Sequence, residues 1–243
     1  MADSASAWRP AARRSVADDV HDQLRRAILD GLLAPGDALP GERDLAARFE
    51  VNRHAVRQAV GRLAQSGLVA VTHGGATRVS DWRRTAGLDV LTDLAFGADG
   101  RLPDADVIRS ALEMRLSIGT DVARRCAERA TPDVLAAARA HLAAMDDAPD
   151  AETANDHYAA LWAALVDGAG NVAYRLALNS LVAALDQVPE LTLELSAGEL
   201  RDGAGRARLL DAVAAGDPDA AAAAAAALLQ RMLTAARVLT EAR

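Results

Sequence analysis

The sequence predicts a mostly α-helical protein in two parts, a winged helix-turn-helix followed by an all-α bundle. Three observations predict it. Between Leu39 and Ser80 a helix, a two-residue turn and a second helix run into two short β-prone stretches joined by a glycine turn. Beyond residue 88 the apolar residues recur at helical spacing and no β-alternating run appears. Charge divides the chain at the same place: residues 1–84 hold 13 arginines against 10 acids, a net of +3, and residues 85–243 hold 14 against 24, a net of −10, which together give the −7 of the whole.

Taken in order, residues 1–12 read as disordered, and a domain is expected over 13–80. Its first helix spans Ser15 to Asp30, with Val16, Val20, Leu24 and Ile28 four apart. Pro35-Gly36-Asp37 is a loop. Gly41-Glu42-Arg43-Asp44 opens a short helix with Leu45, Ala46 and Phe49 on its apolar side. Asn52 can accept hydrogen bonds from free amides of the next turn and so starts a second helix, which Gly67 ends. On that helix Val56, Val60 and Leu63 form the expected buried stripe. Arg53 and Arg57, four apart, share another face, flanked by His54 and Gln58. Leu68–Val71 and Thr77–Val79 are strands around the turn Thr72–Ala76.

Residues 81–88 are expected as a linker and 89–243 as an effector-binding and dimerisation domain. Its helices are expected at Asp104–Ala130, Pro132–Met145, Thr153–Asp167, Asn171–Gln187, Arg206–Ala215 and Pro218–Ala242. Thr131-Pro132 and Asp217-Pro218 each combine an N-cap with proline at the first helical position, and Gly168 and Gly216 are stops. The run Ala220–Ala227 reads as a buried helix face. About 150 residues in six or seven helices can bury a core and still hold a small-molecule cavity.

The chemistry follows from the head. A helix N-terminus carrying long cationic donors suits a DNA major groove, where arginine bridges guanine O6 and N7. Between Val51 and Arg84 there are six arginines against one acid, Asp81, the kind of surplus that phosphate contacts need. One cysteine, Cys126, excludes an internal disulfide and a cysteine-based zinc site. No nucleophile elbow, phosphate loop, histidine cluster or Cys–His pair suggests an enzyme. No signal peptide or bilayer-length run is read, so a cytoplasmic location is expected.

The order Pro35-Gly36, Leu39-Pro40, Glu42-Arg43-Asp44-Leu45-Ala46, Arg53-x-x-x-Arg57 and Leu63-x-x-x-Gly67-Leu68 resembles the GntR family of bacterial transcription regulators across the whole head. His73-Gly74, Thr77, Trp82, Thr85 and Gly87-Leu88-x-Val90-Leu91-x-x-Leu94-Ala95 resemble the wing and linker of its FadR branch. The resemblance implies a DNA-binding set of Arg43, Arg53, Arg57 and, at the wing, His73. Asn52 and His54 join it at positions where that branch has threonines. The segments 113–133 and 167–178 resemble the ligand-sensing domain of the same branch.

Many such domains hold a metal through an aspartate and a histidine four apart on one helix and histidines on two later ones. Counting from Gly170-Asn171 and Gly216-Asp217 places those columns on Tyr158, Trp162, Arg206 and Leu228, so no metal is expected, and His141 and His157 read as surface or structural residues. The FadR branch instead implies a long-chain acyl-CoA that releases a homodimer from a palindromic operator. Arg115 stands at the family's arginine position, and with Trp162, Leu181, Leu228 and Met232 it makes the candidate ligand-binding set. These four apolar residues, with Leu165, Leu178, Leu185 and Leu229, read either as the lining of an apolar slot or as ordinary bundle core. Arg115 reads either as an anchor for a thioester or phosphate or as a salt-bridge partner of Glu113 or Asp121. Met232 and Ala236 stand where that branch uses a serine and a tryptophan. A metal-bound sugar acid or organic acid sensed by the same scaffold is the alternative.

Overall fold

The computed structural model describes residues 15–72, 75–94 and 105–241; the N-terminal stretch 1–12 and the wing-tip His73 lie outside the described residues. The chain divides into two compact units that meet between Val90 and Leu91.

The first unit is built on three helices. Helix α1 (Val16–Leu29) starts in a reciprocal capping box, in which Ser15 accepts from the Asp18 amide and Asp18 accepts from the Ser15 amide. It buries Val20, Leu24 and Ile28. Helix α2 (Glu42–Arg48) and helix α3 (Arg53–Gln65) are joined by a turn in which Glu50 takes a left-handed φ of 55°. The Asn52 side chain accepts from the Ala55 amide at 2.9 Å and caps α3. The buried stripe of α3 is Ala55, Val56, Ala59 and Leu63; Val60, expected within it, is only half-buried because Ala59 takes the central position.

Strands β1 (Val69–Ala70) and β2 (Arg78–Val79) pair antiparallel, Val69 with Val79 and Ala70 with Arg78. The loop before α2 adds a third line to this wing. Leu39 donates to the Thr77 carbonyl, Val79 donates to the Asp37 carbonyl, and Ala38 bridges Arg78.

The expected linker 81–88 is largely part of this unit. Helix α4 (Trp82–Thr85) sits against the end of α3, where the Thr85 hydroxyl donates to the Gly67 carbonyl at 2.7 Å. Gly67 has φ 74°, and a Cβ there would lie 2.4 Å from the Thr85 carbonyl oxygen. Glycine is therefore required twice over, for backbone conformation and for space.

The second unit is helical throughout its described residues. A short 3₁₀ turn (Leu88–Val90) closes the first unit and leads to α5 (Leu91–Leu94). Then come α6 (Ala105–Arg129), α7 (Pro132–Asp146), α8 (Ala151–Gly168), α9 (Val172–Leu185), α10 (Pro189–Arg201), α11 (Gly203–Ala214) and α12 (Pro218–Glu241). Helix α10 is absent from the sequence reading. Its signals were Pro189 at the first turn and the four-residue spacing of Leu191, Leu195 and Glu199, whose last member is a carboxylate on the buried face. Helix α11 also begins three residues earlier than expected, capped by Asp202, whose side chain accepts from the Gly205 amide.

The core gathers Val122, Ala123 and Cys126 of α6, Leu161 and Leu165 of α8, Leu209 and Val213 of α11, and Leu228 of α12. Of the alanine run, Ala221, Ala222 and Ala225 are buried, so their side of α12 packs inward. The stretch Pro218–Leu239, not read as bilayer-length from sequence, is long and apolar enough to span one by composition, with a mean hydropathy of 1.2. Its larger apolar residues, Leu228, Leu229, Met232 and Leu233, are instead buried in the bundle.

Candidate functional sites

In the first unit the sequence-predicted residues gather at the start of α3 and on α2. Arg53, His54, Arg57 and Gln58 are all exposed on the side of α3 opposite its buried stripe. Arg57 is held in place: its Nε donates to Glu42 Oε1 at 3.1 Å and a terminal nitrogen donates to Oε2 at 2.8 Å. These bonds hold the Glu42 carboxyl below its ordinary range, with the charge of Arg53 adding to the effect. Arg43 on α2 is open to solvent, its side chain 81% exposed and 3.7 Å from Asp44.

The arginine surplus is smaller than its count. Arg62 bridges to Asp18 on α1, and Arg78 donates to the Gly36 carbonyl at 2.8 Å. Both hold the fold together. Asn52 likewise has a structural task as the cap. Arg43, Arg53, His54 and Arg57 remain as exposed donors around one helix N-terminus, an arrangement that can hydrogen-bond base edges and phosphates.

The second unit contains an apolar cavity of about 110 Å³ among α6, α8, α9, α10 and α12. Arg115, Trp162, Leu181 and Met232 of the predicted ligand set line it, as do Leu178, Leu185 and Leu229. Leu228 does not: it points into the core and is 1% exposed, because the cavity lies against the neighbouring Leu229. Leu165 is core as well. Gly119 opens one wall, since a Cβ there would meet Leu229 Cδ1 at 2.4 Å. A second apolar void of about 50 Å³ lies beside the first and shares Leu181, Leu185 and Thr192 with it.

The polar end of the cavity is a closed network that the sequence did not disclose. Arg115 donates from both terminal nitrogens to Glu199, at 2.8 and 2.7 Å. Neither Glu113, which pairs with Arg109, nor Asp121, which pairs with Arg125, is its partner. The Tyr158 hydroxyl donates to Glu199 Oε2 at 2.7 Å, and Glu199 is fully buried. Arg206, 4% exposed, donates to the Glu199 carbonyl at 2.7 Å and to the Leu200 carbonyl, so a cation closes the C-terminus of α10. Burial pulls the Arg115 guanidinium toward deprotonation, but the charge and hydrogen bonds of Glu199 outweigh it and raise its pKa. Burial, together with the Glu199 charge, also raises the Tyr158 hydroxyl. Arg115 thus stays a cation and Tyr158 a neutral donor at any ordinary pH.

Among the described residues no group of three or more His, Cys, Asp or Glu side chains is placed to hold a metal ion. His141 and His157 lie with ring centroids 5.8 Å apart between α7 and α8. Burial pushes the Cys126 thiol up to about 11, which leaves it a protonated core group.

A basic three-helix head with a paired wing and a helical unit enclosing an apolar cavity define a DNA-binding regulator with a separate sensing domain. The comparisons agree. The model of the bacterial regulatory proteins of the gntR family matches residues 16–79, and that of the FCD domain matches residues 110–231. The chain is 40% identical over 225 residues, 92% of both chains, to the HTH-type transcriptional regulator Mce2R of Mycobacterium tuberculosis. It is 32% identical over 171 residues to the fatty acid metabolism regulator protein of Edwardsiella ictaluri, covering 69% of this chain and 68% of that one. A solved structure described as Lar, which controls expression of the Listeria monocytogenes agr system, superposes with a TM-score of 0.56 at 16% identity. It covers 94% of this chain and all of that one, and its likeness is one of fold alone. The chain belongs to the GntR family and is a DNA-binding transcription regulator with a C-terminal FCD domain.

Proposed function

We propose that this regulator binds a palindromic operator as a homodimer and releases it when a long-chain acyl ligand enters the helical unit. An acyl-CoA is the form the family resemblance implies. Arg53, Arg57 and His54 would enter the major groove, Arg43 and Asn52 would lie at the backbone, and His73 would be carried by the wing. The observation that carries the DNA half is the cluster of exposed donors at the α3 N-terminus. For the ligand half it is the apolar cavity between α6, α8, α9 and α12, read beside relatives named as fatty acid metabolism regulators. At about 110 Å³ the cavity is smaller than the roughly 300 Å³ at which ligand sites begin. A long chain must therefore part the wall of Leu181, Leu185 and Thr192 that divides it from the second void.

The ligand must bind the DNA-incompetent state more tightly, or it shifts no equilibrium. The test uses an operator selected from randomised duplexes. Palmitoyl-CoA is expected to raise the melting temperature of the chain and to weaken its gel shift. Stoichiometric zinc, manganese or nickel in the purified protein, with no response to any acyl compound, would overturn the reading in favour of a metal-held organic acid.

A further inference from the structure

The two histidines of the α7–α8 hairpin belong to neither site described above. His141 lies one turn from Ala138 and from Met145, the buried positions of α7. His157 stands beside Tyr158 and one turn before Leu161, both on the buried side of α8. The two rings are thus held in the seam between two long helices, half-buried, with centroids 5.8 Å apart and planes tilted by 37°. Neither histidine lines the apolar cavity or the void beside it. Neither imidazole makes a hydrogen bond or ion pair to another described residue, so each keeps a lone pair without a protein partner.

Two imidazoles that share one zinc ion, at Zn–N bonds of about 2.0–2.1 Å, have ring centroids roughly 5–6 Å apart. The spacing of His141 and His157 falls in that range. The χ2 torsion of histidine is broad, so each ring can turn a nitrogen toward the point between them. Charge favours a cation there. From Ala140 to Tyr174 the chain has six acids and no arginine. Asp146, Asp147 and Asp150 around the turn between the helices, with Glu152 and Asp156 on α8, are exposed and make the local field negative. Imidazole nitrogen suits zinc, copper and nickel, whereas magnesium and calcium call for oxygen ligands.

We infer that His141 and His157 form a two-histidine site for a divalent transition-metal cation such as zinc, on the surface of the helical unit. Coordination staples α7 to α8. The other coordination positions go to water, which makes the ion exchangeable. The site is distinct from the metal columns of the family, which fall in this chain on Tyr158, Trp162, Arg206 and Leu228.

The test is a calorimetric titration of the full-length chain, stripped of metal with EDTA and dialysed, with zinc chloride and separately with magnesium chloride. One zinc per chain is expected, and no binding of magnesium. His141→Ala and His157→Gln should each weaken zinc binding at least about ten-fold, the order by which even outer-shell changes weaken a metal site. Without metal, both variants should keep the circular dichroism of the unsubstituted chain, since the two side chains are only half-buried. Copper bound to the unsubstituted chain should show splitting from two nitrogens by electron paramagnetic resonance, a readout that does not depend on how the variants fold. Zinc binding that survives both substitutions, equal binding of magnesium, a copper spectrum with fewer than two nitrogens, or no zinc binding at all overturns the inference. None of these results bears on the acyl reading, because this pair uses no group of the cavity wall.

Discussion

Two bidentate arginine–glutamate pairs, one side-on and one end-on, sit in the two units and differ in burial. Arg57 clasps Glu42 through two nitrogens at 3.1 and 2.8 Å, with the side chains 69% and 40% exposed. Arg115 clasps Glu199 at 2.8 and 2.7 Å, with the side chains 14% and 0% exposed. Water screens the first pair, so its carboxylate can be exchanged for another anion at little cost. The second pair has no solvent to fall back on, and each partner is required by the other. The arginine proposed to meet DNA is paired at the screened surface, and the one on the cavity wall is paired out of reach of water. Burial, and not residue type, separates the two uses of the only basic side chain besides histidine in this chain.

The largest effect expected from breaking this contrast is at the proposed DNA face. Arg53→Ala and Arg57→Ala should abolish the operator gel shift while leaving the melting temperature unchanged. Intact binding by both would remove the groove assignment. Next comes the buried pair: Glu199→Ala should destabilise the helical unit by about 3–5 kcal/mol, because it leaves Arg115 charged and unpartnered. Urea unfolding followed by circular dichroism measures this, and a loss under about 1 kcal/mol would mean that the site is wetter than its burial implies.

Gly67→Ala should cost the head about 1–2 kcal/mol from the left-handed backbone alone, with more from the Thr85 carbonyl 2.4 Å from the new Cβ. An unchanged head transition would show that α4 can leave its place over Gly67. Glu42→Ala, the exposed counterpart of the Glu199 change, should alter stability by no more than about 1 kcal/mol.

The smallest effect expected is one of pH. Burial holds His21 below its ordinary 6.5, against the pull of the Asp22 carboxylate and alongside the nearby charges of Arg25 and Arg62. The unfolded chain therefore takes up a proton before the folded one. The His21 contribution is complete above pH 6.5 and is lost as pH falls below it. Calorimetry of the head between pH 7.5 and 5.5 should show this decline, and His21→Gln should flatten it.

Much of the head was legible in the sequence because its signals are local. Ser15 and Asn52 announce helix starts, Gly67 a stop, and the spacing of Arg53 and Arg57 a shared face. Two things in the head were not legible. The wing gains a third line from residues 37–39, which pair with a strand some forty positions later. The segment 81–88, polar and short, looked like linker because the partner that orders it, the Gly67 carbonyl, is remote in sequence. In the second unit the helix positions were readable from proline, glycine and capping residues, with α10 the exception. A buried glutamate in its apolar stripe hides the period that would have revealed it.

By itself, the sequence determined the order of helices, the basic head on an acidic body, and the side of α3 that faces solvent. These depend on periodicity, caps and net charge, all set within a few residues. Only the tertiary structure decided which arginines are free, that Arg115 answers to Glu199 84 positions away, and that Leu229 rather than Leu228 faces the cavity. Those outcomes depend on which surfaces are brought together and dried, and a charge or a leucine acquires its role only from what surrounds it once water has left.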